Sequence, residues 1–205
     1  LAGLYAQGET KVAEATVSRD HTEKMLKHFG GNIEADGTTV TVRSSELYGQ
    51  ELAVPGDISS AAFFLAAAAA IPGSELTVKN VGINPTRTGI LDILLNMGAD
   101  LTLDNVRTEG GEPVADIAVK GGKLHGTEIS GEMIPRLIDE IPVIAAIAAA
   151  AEGKTVITGA AELKVKESNR IAAMVCELRK LGVNITELAD GMEITGPNRI
   201  MGGEV

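Results

Sequence analysis

The sequence predicts an α/β (α+β) fold made of repeated βαβαββ units, arranged as an inside-out α/β barrel with helices inside and sheets outside. Three features predict this fold. A Gly–Arg–Gly pattern occurs three times along the chain, Asp-Gly pairs separate alternating runs that read as strands, and two alanine-rich helices are apolar nearly all round. A helix without a polar face must be surrounded by protein, which places these two helices in the middle of a domain.

The repeated pattern defines three units. In each unit a Gly follows a helix end of small residues, an Arg opens the next helix, and a second Gly ends that helix 11 or 12 positions after the Arg. A Gly at that point is the usual left-handed helix stop. The triplets are Gly8, Arg19 and Gly30, then Gly73, Arg87 and Gly98, then Gly153, Arg170 and Gly182.

The first unit predicts an amphipathic helix over residues 22–29 and two strands over residues 32–35 and 38–43. An Asp-Gly pair joins the two strands, and such a pair between alternating runs is a strong hairpin signal. Within residues 44–55 a strand ends and the next helix begins, and the sequence predicts the crossing between two domains there.

The second and third units repeat this arrangement. Each adds an apolar helix before the amphipathic one, and the second unit has a longer excursion at residues 110–113 before its last strand. The predicted helices cover residues 59–71, 88–97, 140–151 and 171–181, and the predicted strands cover residues 116–119, 184–188 and 192–195.

Composition and charge exclude several classes of function. The net charge is −10, which argues against nucleic acid as the main partner, because binding to a phosphate backbone needs a clustered basic surface. The apolar runs at residues 61–71 and 141–151 are too short for a membrane span, which needs about 20 residues. The three histidines are scattered and there is one cysteine, so neither a disulfide framework nor a metal-ligand spacing is present, and no cofactor is indicated.

The single cysteine fits a reducing compartment, so a cytoplasmic location is expected. The protein is also expected to be a monomer. Cys176 lies mid-helix among apolar residues and is predicted to be a buried small hydrophobe. The ends predict an internal piece of a longer chain: residues 1–6 read as the last turns of a helix whose start is missing, and residues 202–205 stop without a closing element.

The candidate chemistry is concentrated at two predicted helix starts. Lys166, Glu167 and Arg170 lie at one start, and Asp139 lies at the other. A helix start offers free N–H groups and the positive end of the helix dipole, so it favours anions. Lys and Arg at such a start predict a phosphate or carboxylate ligand, and the acids beside them predict proton transfer to or from that ligand.

Each of these residues also has a purely structural interpretation. Asp139 could be a helix N-cap, since Asp is favoured there and Pro142 would lie in the first turn, where its missing N–H is harmless. Glu167 and Arg170 are three positions apart and could form an exposed ion pair, which contributes only about 0–1 kcal/mol. The Gly-Asp-Ile-Ser-Ser run at residues 56–60 could cradle a phosphate, but ordinary helix capping is favoured there.

Several of these segments carry a resemblance to a known family. They are residues 54–65 (VPGDISSAAFFL), Asp139 ahead of an alanine-rich helix, and residues 165–170 (VKESNR). Together they resemble the 5-enolpyruvylshikimate-3-phosphate synthase family (3-phosphoshikimate 1-carboxyvinyltransferase). Residues 18–23 (SRDHTE) and 138–140 (IDE) resemble its glyphosate-tolerant bacterial class. The resemblance covers essentially the whole chain, with the motifs in family order.

The resemblance implies two similar lobes, of which residues 1–48 would close the first and residues 49–205 would supply about two units of the second. It implies enolpyruvyl transfer from phosphoenolpyruvate to the 5-hydroxyl of shikimate 3-phosphate, with release of phosphate and no cofactor. Four family motifs are absent from the sequence: an N-terminal Lys-Ser…Arg motif, a Gly-rich phosphoenolpyruvate loop with a second Arg, a Ser-Ala-Gln phosphate motif and a C-terminal Asp-His-Arg segment. The chain alone is therefore predicted not to turn over substrate.

The resemblance also implies roles for individual side chains. Asp139 would bind the shikimate ring hydroxyls and accept a proton, and Glu167 would deliver a proton to the methylene carbon of phosphoenolpyruvate. A general acid needs a pKa near the working pH, whereas the two neighbouring cations would lower the pKa of Glu167, so burial and substrate charge would have to raise it. The implied substrate-binding residues are Lys166 and Arg19 on shikimate 3-phosphate, Arg170 on phosphoenolpyruvate, and Ser18, which caps a helix or touches the same phosphate as Arg19.

Two alternatives remain open from the sequence. One is a UDP-N-acetylglucosamine enolpyruvyl transferase, with the same chemistry and fold but a different acceptor. The other is a non-catalytic repeat scaffold, which would not depend on anions. Arg87 occupies the same repeat position as Arg19 and Arg170, and a structural role is favoured for it.

Overall fold

Each predicted unit folds as a strand, a helix and a hairpin in the computed structural model, which describes residues 1–204. In the first unit β1 (Glu9–Ala13) is followed by α1 (His21–His28) and by a hairpin of β2 (Ile33–Asp36) and β3 (Thr39–Arg43). β3 pairs antiparallel with both β1 and β2, so the strand order is β1-β3-β2. The strand before the helix therefore pairs with the second strand of the hairpin.

The second unit adds an inner helix and repeats this strand order. It consists of α2 (Ile58–Ala70), β4 (Glu75–Gly82), α3 (Gly89–Asn96), β5 (Asp100–Glu109) and β6 (Glu112–Lys120), with the order β4-β6-β5. The longer excursion predicted at residues 110–113 is instead a tight turn between two long strands.

The third unit has the same core arrangement with one extra strand. Its elements are β7 (Glu128–Ile129), α4 (Ile141–Ala148), β8 (Gly153–Ile157), α5 (Arg170–Lys180), β9 (Asn184–Leu188) and β10 (Gly191–Gly196). The sheet order is β7-β8-β10-β9, in which β7 is parallel to β8. The repeat inferred from the Gly–Arg–Gly pattern is confirmed, and so is the mixed helix and sheet fold.

The closing glycines end the amphipathic helices as predicted. Gly30, Gly98 and Gly182 have φ values of 86°, 92° and 85°, in the left-handed region that favours glycine. Each glycine lies one residue after the helix C-cap, and there the chain turns into the hairpin that completes the unit.

The two alanine-rich helices lie in one core together with the inner faces of the second and third sheets. Leu65 of α2 and Ile144 of α4 are fully buried, as are Ile117 and Ile157 on the strands. Small side chains allow α2 and α4 to approach each other closely. Within residues 1–204, no helix has both the length and the apolar character needed to cross a membrane.

One side of α2 departs from the prediction. Phe63 and Phe64 are 60% and 66% exposed, so α2 is not surrounded on all sides by the described residues. An apolar sequence requires a buried environment but does not say which part of the polypeptide provides it, and here residues 1–204 cover only the alanine-rich side of the helix.

The first unit has a small core of its own. Leu4, Leu26 and Val42 form a cluster separate from the main core, and residues 44–55 contain no helix or strand. These two observations support a boundary near residue 48, which we propose as the division between two lobes. The predicted helix end at residues 1–6 is a short 3-10 helix, Ala2–Tyr5.

Two adjacent glycines test how tightly α2 packs on its sheet. A Cβ on Gly121 would overlap the carbonyl oxygen of Ile71 and lie 2.6 Å from that of Ala68, whereas a Cβ on Gly122 would meet nothing within 4 Å. Gly121→Ala should therefore lower the free energy of unfolding by about 2–3 kcal/mol, and Gly122→Ala should change it by less than about 0.5 kcal/mol. Urea denaturation of both variants checks this, and equal effects would contradict the packing described.

Candidate functional site

A cavity of about 930 Å³ lies between the first unit and the start of α4. One wall is the segment between β1 and α1, which contributes Ser18 and Arg19, and the opposite wall is formed by the residues before α4 and α5. Asp139 and Lys166 line this opposite wall. Residues that are far apart in the sequence therefore face one shared space.

Asp139 lies in a short 3-10 turn, Ile138–Glu140, directly before α4. It does not cap the helix: α4 has Glu140 at its N-cap position, without a side-chain capping bond, and Pro142 in its first turn. The capping interpretation of Asp139 is therefore wrong. Its carboxylate is one-third exposed and is held by two arginines instead.

Arg19 and Arg170 reach Asp139 from opposite ends of the chain. The Nη2 of Arg19 donates to Oδ2 of Asp139 at 2.5 Å, across 120 positions of sequence. The Nη1 of Arg170 donates to Oδ1 at 3.4 Å. Arg19 is in the loop two residues before α1, whereas Arg170 is the first residue of α5, which Asn169 caps by accepting from the N–H of Ala172 at 3.1 Å.

Arg170 also binds Glu167 through two of its three guanidinium nitrogens. Nε and Nη2 each donate to a carboxylate oxygen of Glu167 at 2.9 Å. The surface ion pair considered from the sequence is therefore present, and the same guanidinium extends from that pair to Asp139. A fork of this kind fits carboxylate or phosphate groups in general.

Lys166 completes the positive side of the cavity. Its ammonium pairs with Glu162, four positions earlier in the chain, and its side chain is 27% exposed. Partial burial opposes ionisation of Asp139, but the hydrogen bond from Arg19 and the charges of Arg19, Lys166 and Arg170 together hold the pKa of Asp139 below its usual range. Asp139 is therefore a carboxylate at neutral pH.

Glu167 does not have the environment that a general acid needs. Its side chain is 68% exposed, and the hydrogen bond from Arg170 lowers the pKa of this carboxyl. The burial that the sequence-based account required is absent, so Glu167 is ionised at neutral pH in this structure. Its proposed role as proton donor therefore requires Arg170 to be drawn away from it.

Ser18 and Arg87 have other partners than those considered from the sequence. Ser18 lines the cavity and its hydroxyl donates to Oε1 of Glu14 at 2.8 Å, while α1 begins only at His21, so Ser18 caps no helix. Arg87 donates to Ser59 and lies away from Asp139. Asp57 accepts from the N–H of Ser60 at 2.9 Å and caps α2, so the capping interpretation of residues 56–60 is confirmed.

Sequence reasoning missed part of the cavity wall. Glu132, Arg136 and Glu162 also line it. Arg136 is held by the carbonyl oxygen of Pro85 at 2.8 Å and by Asp92 at 2.8 Å, and neither long-range contact has a periodic or motif signal in the sequence. Glu162 precedes Lys166 by four positions, a spacing that could have revealed it.

The cysteine prediction is wrong. Cys176 is exposed, because α5 turns Ile171, Val175 and Leu178 towards the core and residue 176 lies on another face. Among residues 1–204, the His, Cys, Asp and Glu side chains form no group of three that could hold a metal ion.

Comparison with known proteins gives one consistent result. A family model described as EPSP synthase (3-phosphoshikimate 1-carboxyvinyltransferase) matches residues 1–205. The 3-phosphoshikimate 1-carboxyvinyltransferase of Alkaliphilus metalliredigens is 63% identical over all of this chain and 48% of its own length. That of Gloeothece citriformis is 59% identical over all of this chain and 46% of its own length. The chain thus spans about half the length of the curated relatives it matches.

Two solved structures are similar in fold. EPSP synthase from Acinetobacter baumannii has a TM-score of 0.91 and 48% identity, over 97% of this chain and 45% of that one. The enolpyruvyl transferase NikO from Streptomyces tendae has a TM-score of 0.72 and 20% identity, over 97% of this chain and 45% of that one. At that identity the second likeness shows the fold alone.

The electrostatic coupling around Asp139 can be measured directly. Arg19→Ala removes the hydrogen bond and one positive charge, so the pKa of Asp139 should rise, as followed by a ¹³C NMR titration of the aspartate carboxyls. Arg43→Ala, which breaks a pair with Glu9 on the first sheet, should leave it unchanged.

The sign of the accompanying stability change follows from the same shift. A carboxyl with a lowered pKa in the folded state contributes stability above its unfolded-state pKa, and this contribution is lost as the pH falls through the folded-state pKa. Arg19→Ala should therefore reduce stability at neutral pH more than at the acid end of the titration. An unchanged pKa of Asp139 would contradict the assignment.

Proposed function

Because the chain belongs to the EPSP synthase (3-phosphoshikimate 1-carboxyvinyltransferase) family, we propose that the whole protein transfers the enolpyruvyl group of phosphoenolpyruvate to the 5-hydroxyl of shikimate 3-phosphate. Phosphate is released, as the resemblance of the sequence implied. The observation that carries the proposal is the meeting of Asp139 with Arg19, Lys166 and Arg170 around one cavity.

The charges of the cavity suit two anionic reactants. Shikimate 3-phosphate and phosphoenolpyruvate repel each other, and fixed cations offset this repulsion most effectively in a site that excludes water. In this proposal Arg19 and Lys166 bind the phosphate of shikimate 3-phosphate, with Ser18 beside them. Arg170 binds phosphoenolpyruvate.

Asp139 serves as the proton acceptor. As the 5-hydroxyl oxygen bonds to C2 of phosphoenolpyruvate, the hydroxyl proton passes to the carboxylate of Asp139 and C3 gains a proton from Glu167. The tetrahedral adduct then returns a C3 proton to Glu167 and releases phosphate, which restores the double bond. The three cations keep Asp139 ionised before reaction, and the negative charges of bound substrates raise its proton affinity.

Substrate binding would also prepare Glu167. Glu167 and an incoming carboxylate or phosphate compete for the same guanidinium of Arg170. Displacement removes the hydrogen bond that lowers the pKa of Glu167, and a neighbouring substrate anion raises that pKa further. The proton donor is thus produced by the binding of its own substrate.

The remaining parts of the proposal concern the whole protein. In this proposal residues 1–48 end one lobe and residues 49–205 supply about two units of the other. The chain alone does not turn over substrate, because four family motifs are absent from its sequence. A monomer is proposed, and the single cysteine supports a cytoplasmic location. The UDP-sugar and scaffold alternatives have less support, since the family model and the two relatives named above carry the 3-phosphoshikimate 1-carboxyvinyltransferase name.

Loss of the proton acceptor should slow the full-length protein without unfolding it. Asp139→Asn should lower kcat by about 10²–10⁴-fold, the range of general base catalysis, in an assay of phosphate release from shikimate 3-phosphate and phosphoenolpyruvate. Asp104→Asn, on the exposed side of β5, is the matched control and should keep full activity. Turnover of UDP-N-acetylglucosamine in place of shikimate 3-phosphate would reassign the acceptor, and an unimpaired Asp139→Asn variant would refute the role of Asp139.

The displacement of Glu167 has its own readout. Saturating phosphoenolpyruvate should raise the pKa of Glu167 in a ¹³C NMR titration of the full-length protein, because Arg170 is then engaged by the ligand. Glu177, which pairs with Lys180 at the same helical spacing away from the cavity, should not shift. A pKa of Glu167 that stays low with ligand bound would remove Glu167 as the proton donor.

A further inference from the structure

We infer that Glu140 is a positioning residue for Asp139, held in place by Ser59 and Arg87; this role rests on the proposed function. Glu140 does not line the cavity that Asp139 faces. It forms instead the buried end of a polar chain that links the start of α4 to the starts of α2 and α3.

Glu140 is an unusually buried carboxyl. It is 3% exposed, although it is the immediate neighbour of the one-third exposed Asp139. Ser59 is the side chain that donates to its Oε1. Burial raises the pKa of Glu140, and the adjacent negative charge of Asp139 raises it further. The hydrogen bond from Ser59 and the positive charge of Arg87 lower this pKa, but by less. A buried acid is costly, and a hydrophobic side chain would fill the same space without that cost.

The donor to Glu140 is itself oriented by an arginine. Nη2 of Arg87 donates to Oγ of Ser59 at 2.6 Å, so the serine oxygen is occupied as an acceptor and its own proton is directed to Glu140. Arg87 also lies 3.2 Å from Oδ1 of Asp57, the N-cap of α2. The chain Asp57–Arg87–Ser59–Glu140 therefore connects three helix starts.

This anchor determines where Asp139 lies. The turn Ile138–Glu140 contains three residues and has no side-chain cap of its own, so it is held by the packing of Ile138 in the core and by the hydrogen bond to Glu140. Glu140 attaches the turn to α2 on its buried side, and Asp139 meets Arg19 and Arg170 on its cavity side. Loss of the anchor lets the turn rotate, and a displacement of about 1 Å at a reacting group can reduce the rate by about 10²-fold.

The sequence positions involved are those that the proposed reaction leaves without a role. Arg87 shares its repeat position with Arg19 and Arg170, and Ser59 follows the residue that caps α2 by two positions. Two arginines of the repeat thus contact the reacting carboxylate, and the third supports the turn that presents it.

The test compares four variants of the full-length protein, with shikimate 3-phosphate and phosphoenolpyruvate as substrates. Ser59→Ala and Glu140→Leu remove the donor and the acceptor respectively, and each should lower kcat at least tenfold while the KM for phosphoenolpyruvate changes less than threefold. Glu140→Gln retains an oxygen that accepts from Ser59, so it should recover most of the kcat lost in Glu140→Leu. Ser60→Ala is the matched control, because this hydroxyl lies in the same helical turn but binds Asp57.

The outcomes separate this inference from the proposed function. Suppose that the unsubstituted protein is active and that the Ser59→Ala variant is folded and has the same kcat. The positioning role is then refuted, while the proposed function stands. If Glu140→Gln is as impaired as Glu140→Leu, the hydrogen bond is not the cause and the role is equally refuted. If the unsubstituted protein does not transfer the enolpyruvyl group, the proposed function fails and this inference fails with it. Circular dichroism establishes that each variant is folded at the assay temperature, and Ser59→Ala provides the test if Glu140→Leu does not fold.

Discussion

The structure depends on one electrostatic constraint: the carboxylate of Asp139 lies between guanidinium groups from the two ends of the chain. Arg19 belongs to the first unit and Arg170 to the third, and no local interaction could bring them together. A partly desolvated carboxylate with two cationic partners is stable as an anion, and the same cations remain able to bind other anions. The site is therefore both a structural contact between units and a place where a phosphate or carboxylate can compete for the arginines.

The repeat explains how such a site arises from one simple unit. Each unit positions an arginine just before or at the start of its amphipathic helix. The second and third units share one core, and the first unit contacts the third through Arg19 and Asp139. The arginines of the three units have different contacts. Arg19 lines the cavity and Arg170 contacts Asp139 on its wall, whereas Arg87 donates to Ser59, which donates in turn to Glu140. A repeated local structure thus supplies positions, and the side chains around each position decide its chemistry.

The sequence predicts the elements of the fold well and the environments of single side chains poorly. Periodicity and left-handed glycines are local signals, so the units, hairpins and helix stops are confirmed, and so is the family indicated by three short segments. The exposure of a side chain depends on residues that are distant in the sequence. The burial predicted for Cys176 is wrong for that reason, and within residues 1–204 Phe63 and Glu167 are more exposed than the sequence indicated. The hydrogen bond between Ser59 and Glu140 joins positions 81 residues apart, which no motif in one sequence indicates. Residue types and helix starts suggested the site, and only the fold determines which charges meet.

The most direct test of this account is a crystal structure of the full-length protein with shikimate 3-phosphate bound. The account predicts that the phosphate of the ligand lies within about 3 Å of Arg19 and Lys166, and that a ring hydroxyl lies within hydrogen-bond distance of the Asp139 carboxylate. A ligand bound elsewhere, with Asp139 still closed off by Arg19 and Arg170, would contradict the central claim that these charges form the substrate site.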